Sequence, residues 1–472
     1  MTKTFNYNNN IDYNNKNEIL FFSIWRNQYL LSEIQRHHRL YNENKVINVN
    51  NSMDQLRYHP HRGYTTTIRI DVDEPLEPHG QVIPYGTTEL EFRGKFKSIE
   101  VGDIPPTVTS VYFDNKFYSQ IDIKSVIPPS VTKLYYLNYN QAITPDTLPP
   151  SLTSLTIGIN QGINIDIGSL PNSLTYLFLN RFNHIIKPGL FGSIVELHLC
   201  SFNQPLKAGD LPVTCQKLSL YSYNQPLQPN VIPPQLKILD ISSFNHPISH
   251  GVLPESITEL HLNHFSHPLS NSLSSIHSLK TLHLQSYNQK ISNETLPHSI
   301  ESLTLNVYNQ VLTPNVLPPS ITNLYLGAYN HQLDPQVIPP NVKKLVLYSY
   351  NRKLGKHLFP NSLHILSLSN YLNSLLKNDL PSSLRELYFD FNGPESFQAN
   401  SIPPSVEILR LPGYYNQPLQ MGVLPKSLTQ LALGYSFNQP LNPATIPQSV
   451  TRIDIPSPYE HTIPDSLSKI IN

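Results

Sequence analysis

Apolar residues recur along this chain in a fixed order: a shift of 21 residues takes Leu211 to Ile232 and Ile232 to Leu253 and superimposes nearly every apolar position. Each unit reads apolar-Pro-x-Ser-apolar-x-x-Leu-x-Leu. Two or more residues follow, then Phe or Tyr, Asn, and often Gln-Pro-Leu. The stretch SLTQLAL, with Leu428, Leu431 and Leu433, shows the logic. Alternation about Ala432 predicts a strand with Leu431 and Leu433 inward, and so short a strand is stable only when paired on both sides. Tandem units of this length predict a solenoid whose coils stack into a parallel sheet.

Units start near Ile127, Leu148, Leu170, Leu190, Leu211, Ile232, Leu253, Ser275, Leu296, Leu317, Ile338, Phe359, Leu380, Ile402, Leu424 and Ile446. Counted from His61 there are nineteen, and a fragment from Ile463 follows. Residues 61–126 read as degenerate capping repeats, 127–462 as the regular array and 463–472 as a partial repeat. The proline, as in Leu424-Pro425, fixes φ at the corner entering each strand. Ser320, Ser383, Ser405 and Ser427 are expected to bond locally to turn backbone. The Asn after each aromatic is expected to point inward and form a ladder satisfying loop amides of its own and the next coil. Its members are Asn203, Asn224, Asn245, Asn288, Asn309, Asn330, Asn351 and Asn438, with the rings stacked beside them. Ser266 and Leu372 interrupt it, and those coils should be locally weaker.

Ahead of the repeats the pattern differs. Residues 1–17 are Asn-rich without apolar periodicity and read as a disordered tail. Residues 18–60 read as a helical cap and linker: Leu20, Phe21, Ile24, Trp25, Leu31 and Ile34 form one stripe of a helix ending near Tyr41, and Asn42 to Pro60 is polar. The stripe either covers the open end of the solenoid or, through Phe21, Phe22 and Trp25, docks a partner.

Composition narrows the function. Lys+Arg and Asp+Glu both number 33, so charge points to neither acidic nor basic partners. Two cysteines, Cys200 and Cys215, argue against a disulfide framework. No signal pattern and no apolar run of spanning length is seen, so a soluble, cytoplasmic protein away from membranes is expected. GxSxG, GxGxxG, GxxxxGK[ST], HExxH and CxxC are all absent, and no catalytic residue or cofactor is expected. The outward positions mix Glu89, Lys133, Glu196, Lys217 and Glu259, which does not suit nucleic acid.

The recurring FNQPL, YNQPL and FNHPI segments between LPxSLTxLxL strands resemble the FNIP repeat family, whose units are similar to leucine-rich repeats. The likeness runs from about Ile83 to Asn472. It implies a mainly β fold: a single curved, leucine-rich-repeat-like parallel β solenoid of 21–22-residue coils with an N-terminal helical cap. It also implies protein binding, with no catalytic residue to transfer. Ile19 to Tyr41 is similar to a degenerate F-box-like adaptor helix without that motif's Leu-Pro start.

If the strand residues beside the inward leucines point out, one column holds Tyr112, Tyr135, Phe178, His198, Asp240, His261, His283, Tyr325 and Tyr388. Exposed Tyr and His supply apolar area with a polar tip, as interface anchors do, so this column is the candidate binding face unless its members cover one another. Asp240, His261 and His283, with Glu259 alongside, are the set that could ligate zinc or iron, although no metal is expected on so open a face. The function expected is a non-catalytic scaffold for an unidentified protein partner. The alternative is an adaptor whose N-terminal helix recruits a second complex.

Overall fold

Alternating exposure along four-residue segments sets the architecture: in Lys344–Leu347, Lys344 and Val346 face out while Leu345 and Leu347 are buried. The computed structural model describes residues 27–76, 82–94, 99–158 and 165–472. The chain divides into two compact units, Met1–Leu174 and Thr175–Asn472, and each is a parallel β solenoid.

In the first unit Val46–Val49, Thr67–Ile70, Glu89–Phe92, Ser110–Phe113, Lys133–Tyr136 and Ser154–Ile157 pair in sequence order, every pair parallel. The expected linker from Asn42 to Pro60 is therefore a coil in its own right. Val46–Val49 pairs with Thr67–Ile70, and Ile47, Val49, Met53 and Leu56 are buried behind it. Its sparse apolar residues suffice because a coil needs only a strand pair and two further inward side chains. The degenerate repeats are regular at their strands, with stacked Phe92 and Phe113 where most other coils carry aliphatics.

The helix spans Gln28–Asn44, capped by the Asn27 side-chain oxygen, which accepts the N–H groups of Tyr29 and Leu30. None of its residues is buried, and Tyr29, Leu30 and Ile34 are exposed. Residues 1–17 and the stripe members Leu20, Phe21, Phe22, Ile24 and Trp25 lie outside the described residues.

In the second unit fourteen strands, from Tyr176–Leu179 to Arg452–Asp454, pair in order with leucine on leucine up to the last, where Leu431 meets Ile453. Leu239, Leu260, Leu282, Leu303 and Leu324 are successive partners in one buried column. After Ile463 the chain returns to bridge Ile471 with Ile453.

Three seams tie coil to coil outside the strands. The first is the asparagine ladder, and it lies at the surface rather than inside. Phe202, Tyr223, Phe244 and Tyr308 take the inward site, and because extended residues alternate, the Asn that follows each must turn outward. Asn224, Asn288 and Asn309 are exposed; Asn203, Asn245, Asn330, Asn351 and Asn438 are half-buried. Each side-chain oxygen accepts the backbone N–H at the equivalent place one coil on. One run links Asn183, Asn203, Asn224, Asn245 and Ser266. A second links Asn288, Asn309, Asn330, Asn351 and Leu372. A third links Asn416, Asn438 and Glu460. Ser266 and Leu372 still donate to the coil before, so what the substitution removes is the acceptor for the coil after.

Behind the ladder the rings form the second seam. Phe202, Tyr223, Phe244, Phe265 and Tyr287 stack at 6.1–6.4 Å with planes within 7° of parallel. The third is the serine column, and it too differs from expectation. Ser320, Ser383, Ser405 and Ser427 donate not to their own turn but to Ile300, Leu363, Leu384 and Val406 carbonyls of the preceding coil, at 2.6–2.8 Å. The local turn is closed by backbone alone, as where Leu428 N–H donates to the Pro425 carbonyl, which leaves the hydroxyl for the neighbour.

At the far corner of these coils the residue three before the proline is left-handed. Asn230, Asn315, Asn378 and Asn400 adopt φ of 61–72°, and Gly251 and Gly422 occupy the same place. Asn and Gly recur there because they enter that region at the least cost, while Asp146, Gln336 and His357 hold φ of 64–69° at the same place.

Candidate interaction face

The parallel register decides which outward side chains meet. In the first unit Tyr112 and Tyr135 are strand partners, and their rings stack at 4.2 Å with 17° between planes. Both are half-buried by this pairing.

In the second unit the column breaks into groups. Phe178 lies 5.9 Å from His198, and Tyr176 5.5 Å from the same imidazole, which is 6% exposed. Its Nε2 meets Glu196 Oε1 at 2.8 Å, and Lys217 Nζ lies 2.7 Å from the same oxygen. His198 is thus consumed in a local cluster and offers little surface. Burial alone would raise the Glu196 carboxyl, but the hydrogen bonds from Lys217 and His198 outweigh it and hold the group below the usual glutamate value.

His261 and His283 are partners on adjacent strands, with rings 4.3 Å apart and 16° from parallel. Glu259, two residues before His261 on the same face, places Oε1 2.7 Å from His261 Nε2. Ligand atoms of Glu259, His261 and His283 lie within 4.8 Å of one another. Asp240 is in register with His261 but turns away, its Oδ1 accepting the N–H and hydroxyl of Ser242 at 3.1 and 2.5 Å. Burial and then the adjacent His261 lower the His283 pKa, while Glu259 and Asp240 oppose the shift.

Tyr325 and Tyr388 stand apart, separated in the register by Val346 and Ser367. Tyr388 donates to Glu386 Oε2 at 2.7 Å and lies 5.7 Å beneath the Arg410 guanidinium.

A second aromatic group borders these coils just beyond the strands, and the repeat pattern gave no sign of it. Tyr348, Phe391, Tyr414 and Tyr435 are 37–62% exposed. Tyr348 meets Phe391 edge-on at 5.8 Å and Tyr414 meets Tyr435 at 4.8 Å, while the Tyr414 N–H donates to the Phe391 carbonyl. These positions vary from coil to coil, so a search for recurring residues passes over them. The signal that was available is their size at loop positions where many other coils carry Gly, Ser or Asn.

Stacked parallel strands, inward leucines and an Asn seam define a leucine-rich-repeat-like solenoid presenting an outward strand face. Models of the FNIP Repeat match residues 96–136, 139–182, 202–243, 244–276, 277–307, 308–329, 329–371, 371–414 and 415–457. The chain belongs to the FNIP repeat family. It is 29% identical over 170 residues to an FNIP repeat-containing protein of Dictyostelium discoideum, a match covering 35% of this chain and 30% of that relative's length. Its fold is similar to that of CroV588, described as a novel circular LRR protein, with 25% identity and a TM-score of 0.59 over 89% of this chain and 79% of that one. It is also similar to a chain of the mouse RP105/MD-1 complex, with 16% identity and a TM-score of 0.59 over 84% and 80% of the two chains. No helix among the described residues is long and apolar enough to cross a membrane.

Proposed function

We propose that the chain is a non-catalytic scaffold that binds a protein through the outward strand face of its second unit. The supporting observation is the exposed group Tyr348, Phe391, Tyr414 and Tyr435 bordering Tyr325 and Tyr388. Large rings held just beyond paired strands lose little side-chain entropy on docking and bury much area, which is how interface anchors act. Interspersed Glu386, Arg410 and Asp390 supply the polar rim such a patch needs. Tyr112, Tyr135, Phe178, His261 and His283 are half-buried and His198 is buried, so they rank below these exposed rings as anchors.

The test is affinity purification with the wild type and with a variant carrying Y348S, F391S, Y414S and Y435S. Loss of a defined protein set from a variant with unchanged circular dichroism is expected. An unchanged set would count against this face.

The adaptor reading draws on one observation: the helix Gln28–Asn44 buries none of its residues and leaves Tyr29, Leu30 and Ile34 exposed, which suits docking better than capping. Deletion of residues 1–45 would then remove one partner set and leave the other.

A further inference from the structure

We propose that Glu259, His261 and His283 bind one divalent transition-metal ion of the zinc type. The register makes the grouping unavoidable: Glu259 and His261 are two residues apart on one strand and so share a face, and His283 is the direct partner of His261 on the next. Two imidazoles and one carboxylate are a sufficient zinc set that leaves one position to water. Metal–ligand bonds of about 2.0–2.2 Å place the donor atoms of a tetrahedral site about 3.3 Å apart. Here no pair exceeds 4.8 Å, and Glu259 Oε1 and His261 Nε2 are at 2.7 Å. Side-chain rotation of His283 would close the remaining gap, with the backbone held by the parallel pairing of the two strands. Among the described residues no other three His, Cys, Asp or Glu side chains come this close.

The three ligands are half-buried, so the ion would sit against the sheet rather than on a free loop. In the metal-free arrangement His261 Nε2 faces Glu259; the ion takes both atoms as ligands, the proton between them is displaced from Nε2, and the imidazole binds as the neutral tautomer that carries its proton on Nδ1. Asp240 stays outside the set because Ser242 engages it, yet its carboxylate one coil away adds negative charge beside the ion. This inference is independent of what docks on the face.

The test uses the purified full chain titrated with Co²⁺, followed by Zn²⁺. One equivalent of Co²⁺ should give visible absorption of a low-coordinate site, and Zn²⁺ should abolish it. E259Q, which keeps both rings, should weaken binding by about tenfold or more, and H283A should remove the band. The double variant H264A/H267A, altering nearby histidines outside the set, should leave it intact. Circular dichroism of each metal-free variant checks the fold, and E259Q serves if H283A unfolds. No band at one equivalent, or a band undiminished in both E259Q and H283A, overturns the assignment.

Discussion

The side-chain oxygen of Asn330 accepts the backbone N–H of Asn351 at 2.9 Å, one coil further along the stack. The bond is repeated at equivalent places in the second unit, so the integrity of one coil depends on a side chain supplied by the coil before. Asn330→Leu should cost about 0.5–1.5 kcal/mol, the net worth of one partly exposed hydrogen bond. Asn330→Asp keeps the acceptor oxygen and should stay close to wild type. Urea denaturation compares the two, and equal losses would show that the amide nitrogen or simple bulk matters instead.

Gly327 follows a strand at a close approach between coils. A methyl at 327 would overlap the carbonyl oxygen of Asn306 on the preceding coil, whereas one at Gly355 would meet nothing. Gly327→Ala should destabilise by about 1–3 kcal/mol through overpacking. Gly355→Ala should be neutral or gain a few tenths, since it only restricts the unfolded chain. Thermal melts of the two variants check the contrast.

Acid should act through Glu196. Its carboxyl is held below the ordinary value, so it stabilises the fold above its unfolded pKa, and that stability drains away as pH falls through the lowered folded value. Glu196→Gln removes the charge that Lys217 and His198 share. The wild type should melt higher than the variant near pH 7, and the gap should shrink below about pH 4.3, the ordinary glutamate pKa. A gap constant across pH would exclude this linkage.

Cys215 is wholly buried, and burial pushes its thiol up to about 12. Thiolate is the reactive form, so iodoacetamide at mild pH should leave Cys215 untouched in the native protein. Modification should track global unfolding by urea, as read by mass spectrometry of the peptide. Cys200, half-buried and also raised by burial, should react slowly and ahead of it.

How far the residues alone reach can be judged at particular places. The strands were legible because Leu431 and Leu433 flank Ala432 with the period of a pleat, and only a buried parallel neighbour satisfies so short a segment. The Asn seam was legible as a recurrence, but its side of the chain was not. Phe202 and Asn203 are adjacent, and which of the two faces inward follows from the volume available in the stack, where the ring fills the space better. Val46–Val49 was passed over because its coil carries few apolar residues and its burial comes from Thr67–Ile70 beside it.

The amino-acid sequence by itself determined the period, the inward leucines, the proline corners and the family, since each depends on residues near one another in the chain. Tertiary structure alone decided that Ser427 serves its neighbour rather than its own turn, that Glu259 rather than Asp240 faces His261, and that Tyr348 meets Phe391. Those choices rest on the register and rotamers of stacked coils. A side chain about 21 residues away along the chain is the nearest neighbour in space, and no local pattern specifies which way it turns.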